Sequence, residues 1–150
     1  MRQDSRLSRM LHVLLHMAQL DAPATSETFA AMLGTNAVVI RRTMAGLRDA
    51  GYVRSEKGHR GGWTLACDLK KVTLLDIHTA LGGPTLFAIG NESDNPNCAV
   101  ERAVNDALDG AFEAAAALLL KRLGAITLDQ LARSFAISLK GAHHLMAHPA

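Results

Sequence analysis

Apolar residues recur at helical spacing from Arg6 to Leu20, where Leu7, Met10, Leu11, Leu14, Leu15 and Ala18 fall along one face. Asp4 or Ser5 is placed to cap this helix, and Asp21-Ala22-Pro23 ends it. A second helix of about two turns is predicted over Thr25–Leu33, with a hydroxyl cap, an early acid at Glu27 and Gly34 as its stop. Asn36 then caps a third helix from about Ala37 to Ala50, closed by Gly51. Its inward face is Ile40, Met44 and Leu47, with Thr43 at the margin. A short helix, a tight glycine-containing turn and a longer helix form a helix-turn-helix.

The period then changes. Tyr52–Ser55 and Trp63–Ala66 are short β-prone runs, separated by a loop, Glu56–Gly62, that carries three glycines. A hairpin in that position makes the unit a winged helix. Thr73 and Asp76 form a capping box ahead of Leu74, Leu75, Ile77 and Leu81, and Gly82-Gly83-Pro84 breaks that helix. Thr85–Ile89 reads as a short strand and Gly90–Asn97 as a polar loop. The longest helical stretch runs from Cys98 to about Leu123, and at ~1.5 Å per residue it would extend nearly 40 Å. Thr127 with Gln130 caps a last helix through Leu128, Leu131 and Phe135. The expected fold is mainly α with a small β-hairpin wing. A winged helix-turn-helix head (1–83) leads through a linker or sensor loop (84–97) to a dimerisation helix and C-terminal helix (98–138), with a flexible tail (139–150).

Composition narrows the class. Of 150 residues 49% are hydrophobic, enough for a packed core. No apolar run approaches the ~20 residues that span a bilayer, and the start lacks the pattern of a signal peptide. Two cysteines far apart argue against a disulfide framework, so a reducing cytoplasm is the expected compartment. The net charge of +2 says little until it is mapped. Residues 1–60 hold nine Lys/Arg against five acids, and residues 61–150 hold seven against nine. A basic front half on a mildly acidic back half suits a nucleic-acid-binding head on a support. No nucleophile elbow, phosphate loop or zinc-protease motif is present, so no enzyme is expected.

The second helix of a helix-turn-helix reads base edges with its N-terminal residues. Here that end turns Val38, Val39, Arg41 and Arg42 outward. Valines suit thymine methyls, and arginines suit guanine edges or phosphates. Thr35 and Asn36 at the helix start add donors for a phosphate. The wing tip offers Lys57, Gly58, His59 and Arg60 on a slim loop suited to a narrow minor groove. Arg2, Arg6 and Arg9 are candidate backbone contacts. The competing reading is a winged helix used for protein contacts, with weak or no specific DNA binding. Steep salt dependence separates DNA binding from a partner held by apolar contacts.

The string Val39-Ile40-Arg41-Arg42 through Leu47-Arg48-Asp49-Ala50-Gly51-Tyr52-Val53, the wing Lys57-Gly58-His59-Arg60-Gly61-Gly62-Trp63-Thr64-Leu65 and the segment Val72–Ile77 resemble the Rrf-two family. These are dimeric winged-helix regulators that include the iron–sulfur cluster regulator and the nitric-oxide-sensing repressor. The wing matches the family's G-x-x-G-G-aromatic-x-L signature, and the resemblance covers roughly residues 1–135. It implies a homodimer joined through the long helix, about 98–123. Such a dimer would bind a palindromic operator in double-stranded DNA, as a repressor by family default, and respond to a redox or small-molecule signal.

Cluster-binding relatives carry three closely spaced cysteines at the start of the long helix. This chain has Cys98 there, with Asn91, Asp94, Asn97 and Glu101 around it and Cys67 beyond the wing. A cluster normally takes four ligands per site, so no iron–sulfur cofactor is expected, although some relatives recruit ligands from the first helix, where His12 lies. Cys98 begins a helix, where the macrodipole favours thiolate, and is the candidate redox sensor; an inert half-buried thiol is the alternative. Cys67 is expected to be buried. His12 and His16 are spaced to share a metal but lack an evident third ligand, so a packed face is expected and no metal is assigned. His143, His144 and His148 lie in the tail.

Overall fold

The computed structural model describes residues 4–87 and 97–136. Helices α1 (Arg6–Met17), α2 (Ser26–Leu33) and α3 (Ala37–Asp49) precede an antiparallel hairpin of β1 (Val53–Glu56) and β2 (Gly62–Leu65). Helix α4 (Leu74–Ala80) and the 26-residue α5 (Ala99–Gly124) follow. A sixth helix, α6, begins at 128 and is helical to 136, the last described residue. The fold is a winged helix-turn-helix head with a long C-terminal helix.

Local chemistry sets the boundaries. Asn36 Oδ1 accepts the Val38 N–H at 2.7 Å and starts α3. Thr25 Oγ1 accepts the Thr28 N–H at 3.2 Å and starts α2. Gly34 closes α2 in the left-handed conformation at φ 60°. Both bonds of the Thr73–Asp76 capping box form, at 3.2 and 2.8 Å, and the same reciprocal pair forms between Thr127 and Gln130. Each such cap satisfies helix-end amides and is worth about 1 kcal/mol. At α1 the backbone N–H of Arg6 goes to the Asp4 carboxylate at 2.9 Å, while the Ser5 side chain makes no cap bond.

The core is the meeting of these helices under the hairpin. Met10, Val13 and Leu14 of α1, Phe29 of α2, Ile40, Met44 and Leu47 of α3, Val53, Ile77 and Leu128 are all at most 1% exposed. The inward face expected for α3 is therefore the buried one. Leu128 joins through backbone as well as packing: its N–H bonds Val72 O, and the Leu74 N–H bonds Ile126 O. The α5–α6 junction is thus tied to the start of α4.

Three expectations need correction. Helix α1 stops at Met17, because the Gln19 and Leu20 amides bond His16 and Met17 carbonyls three residues back, which tightens the chain into a turn. Tyr52 and Ala66 lie outside the strands, although the Ala66 N–H still bonds Tyr52 O at 3.0 Å. No strand forms over 85–87, where Phe87 instead sets its ring 6.4 Å from that of Phe112 on α5. The remainder of that segment, most of the Gly90–Asn97 loop and the tail lie outside the described residues. No described helix is long and apolar enough to cross a membrane.

Candidate nucleic-acid interface

Helix α3 presents its first turns outward. Val38 and Val39 are 54% and 38% exposed, unusual for valines on a helix that buries its other face completely. Asn36, Arg41 and Arg42 are exposed beside them, and Thr35 is half-buried. The α3 N-terminus therefore combines a capped helix end, two apolar side chains and two guanidinium groups on one surface. Arg41 is not unattended: its Nη2 pairs with Glu27 in the first turn of α2. Glu27's own backbone N–H, then Arg41, hold that carboxyl below the usual carboxylate range. This exposed cross-helix pair partly neutralises Arg41. Arg42 has no ion-pair partner among the described residues.

Arg6 joins Arg42 across the helices. Both line a groove of about 120 Å³ with Thr43, Gly46, Ala80 and Leu81. Arg6 binds the Asp4 carboxylate through Nε and Nη2, and its Nη1 donates to Leu81 O at 3.4 Å. That bidentate hydrogen bonding lowers the Asp4 pKa and raises that of Arg6. Arg9 reaches back to Ser5 Oγ at 3.2 Å, and Arg2 lies outside the described residues. The Arg6–Arg42 juxtaposition and the Glu27 partner were not readable from spacing, since both join residues far apart in sequence.

The wing is built from the glycine signature. Residues pair as Val53↔Leu65, Arg54↔Thr64, Ser55↔Trp63 and Glu56↔Gly62, and the Gly61 N–H closes the tip on Gly58 O at 3.0 Å. Lys57, Gly58, His59 and Arg60 are all exposed there, and Arg60 takes a left-handed φ of 65°. At the base, Trp63 exchanges both backbone hydrogen bonds with Ala24, so the segment before α2 acts as a one-residue third strand. A Cβ on Gly62 would sit 2.6 Å from Ala24 O, which excludes any side chain. The indole Nε1–H of Trp63 donates to Ser26 Oγ at 2.9 Å, with Ser26 buried. The signature thus fixes the wing to the first turn of α2, and the Gly-Gly-aromatic string is the signal that marks it.

The two cysteines sit in opposite environments. Cys98 is fully exposed as the N-cap residue of α5, so the half-buried alternative does not describe it. The amides of Glu101 and Val100 lower its thiol pKa. Burial, reinforced by Asp68, raises that of half-buried Cys67. Among the described residues no three His, Cys, Asp or Glu side chains cluster as metal ligands.

Helix α5 buries none of its residues fully within the chain. A row of Val100, Val104, Leu108, Ala111, Ala115 and Leu118, spaced four or three apart, is exposed along its length. Phe112, Ala116, Leu120 and Leu123, which are half-buried, lie about a third of a turn further round. The face toward the head and the exposed apolar row are therefore distinct.

Comparison with known proteins agrees with this architecture. The Rrf2 family model, described as iron-dependent transcriptional regulator, matches residues 3–134. YwnA of Bacillus subtilis (strain 168), named as an HTH-type transcriptional regulator, is 34% identical over 111 residues, 73% of this chain and 81% of that protein. The structure of CymR, the global cysteine regulator of B. subtilis, superposes with a TM-score of 0.62 at 21% identity, covering 89% of this chain and 98% of that one. IscR of T. potens superposes with a TM-score of 0.63 at 18% identity, covering 100% and 94%. At those identities the two structures speak to fold, while the family model and YwnA speak to kinship. The chain belongs to the Rrf2 family of transcriptional regulators.

Proposed function

We propose that this protein binds double-stranded DNA sequence-specifically as a homodimer, with α3 in the major groove, the wing along the minor groove and a palindromic operator as its site. The observation that carries the reading is the α3 surface: exposed Val38 and Val39 beside Asn36 and the uncompensated Arg42, on a helix whose opposite face is wholly buried. Repression is the role that the family resemblance implies for it. Arg42 on the reading helix and Arg6 on α1 beside it serve as phosphate contacts.

The exposed row on α5 supports dimerisation. Burying a valine or leucine side chain is worth roughly 1.5–3 kcal/mol, so leaving this row in water is costly to a monomer. Two copies related by a two-fold axis would cover it. Cys98 is the site at which we place a redox signal. The cysteine complement does not fit an iron–sulfur cluster: the chain has Cys67 and Cys98, one half-buried and one exposed, where a cluster normally takes four ligands.

The test is DNA affinity against salt, with mass measured by light scattering. A dimer whose binding falls with a log–log slope of about −0.9 per phosphate contact supports the proposal. The Leu108→Glu variant is expected to be a folded monomer with much weaker binding. A salt-independent interaction, or a monomeric wild type, contradicts it.

A further inference from the structure

His12 and His16 stand one turn apart on α1, and their Nε2 atoms lie 2.9 Å apart. Their ring centroids are 4.8 Å apart, with the planes tilted by 32°. The pair opens on a cavity of about 170 Å³ whose other walls are Leu15 and Phe135. A single N–H···N bond between neutral rings would account for the distance. His12 is exposed and His16 half-buried, so the pair borders that cavity from the surface.

We propose that His12 and His16 form a two-nitrogen chelate for a divalent transition-metal ion, with water filling the remaining coordination positions in the cavity. Histidines four apart share one helix face, the arrangement by which helical metal sites present paired imidazoles. With metal–nitrogen bonds of about 2.1 Å, nitrogens 2.9 Å apart subtend roughly 90° at the ion. That is the cis angle of octahedral or tetragonal coordination; tetrahedral zinc would need a separation of about 3.4 Å. The bite, as the pair stands, suits Ni²⁺ or Cu²⁺. No third His, Cys, Asp or Glu joins the pair among the described residues, so the site is open rather than a closed structural cage. Binding holds both rings as Nδ1–H tautomers, the ring that donated through Nε2 moving that proton to its own Nδ1, and ties together one turn of α1.

The experiment is calorimetric titration of the full, reduced chain with Ni²⁺, together with its thermal midpoint with and without the ion. Two variants accompany it: the His12→Gln/His16→Gln pair and the tail triple His143→Gln/His144→Gln/His148→Gln. The expected result is a binding event, and a rise in midpoint, that the tail triple keeps and the pair variant loses. His12→Gln alone changes an exposed side chain, so it tests the site without disturbing the core, and it should weaken the event by at least about tenfold. The proposal is overturned if Ni²⁺ does not bind, or if the pair variant keeps the full event. Loss of the event in the tail triple alone would assign it to the tail and overturn it equally.

Discussion

The indole Nε1–H of Trp63 donates a 2.9 Å hydrogen bond to Ser26 Oγ, joining the base of the wing to buried Ser26 at the start of the second helix. A hydrogen bond of this kind contributes about 1 kcal/mol, and removing one partner leaves the other desolvated and unpaired. Ser26→Ala and Trp63→Phe should therefore each lower stability by roughly 1–2 kcal/mol, read from the shift in denaturant midpoint. Amide hydrogen exchange should accelerate in Gly62–Leu65 while remaining slow in α1. Uniform acceleration throughout the head would show that the bond does not act locally.

The wing glycines separate into two kinds. A Cβ on Gly62 meets Ala24 O at 2.6 Å, with neighbouring backbone atoms almost as near, whereas one on Gly58 meets nothing within 4 Å. Gly58→Ala should therefore cost only the strain of its left-handed backbone, about 1 kcal/mol. Gly62→Ala must also break the Ala24–Trp63 bridge and should cost about 3 kcal/mol. Paired thermal melts check this, and equal losses would contradict the assigned geometry.

Much of this was legible in the chain because helix ends announce themselves locally. Asn36, Thr73 with Asp76 and Thr127 with Gln130 each cap the helix their spacing indicated. The wing was legible for the same reason, since its glycines mark a hairpin. The Ala24–Trp63 bridge was not: a single bridging residue leaves no alternation to detect, and it lies beside a Pro-containing turn. The Arg41–Glu27 pair was equally hidden, because it links separate helices through side chains alone. Spacing identified Arg41 and Arg42 as a matched pair; the fold separates them into a compensated charge and an uncompensated one.

That separation is testable. Arg42→Ala should reduce the salt slope of DNA binding by about 0.9, the loss of one phosphate contact. Arg41→Ala also frees the Glu27 carboxylate near the reading helix, so it should weaken binding further than lost contact alone. Glu27→Gln in the Arg41→Ala background should restore part of that loss. Identical effects of Arg41→Ala and of the double variant would remove any role for Glu27.

Cys98 and Cys67 should respond oppositely to pH. The Glu101 and Val100 amides stabilise the Cys98 thiolate, so its alkylation should rise at a pH below that of an ordinary thiol. Burial disfavours the Cys67 thiolate, so its alkylation should begin only above that range. Mass spectrometry after brief iodoacetamide treatment at neutral pH should find Cys98 modified first. Preferential labelling of Cys67 would contradict both environments and remove Cys98 as the candidate sensor.

The central claim is that the α3 surface and the wing read a specific DNA sequence in two symmetric copies. Selection of bound duplexes from random DNA tests it most directly. The account predicts an enriched palindrome with half-sites about one helical turn apart, roughly 10–10.5 base pairs centre to centre, and loss of that enrichment in a Val38→Ala/Val39→Ala variant. Recovery of sequences with no common motif, or of a single asymmetric half-site, would contradict it.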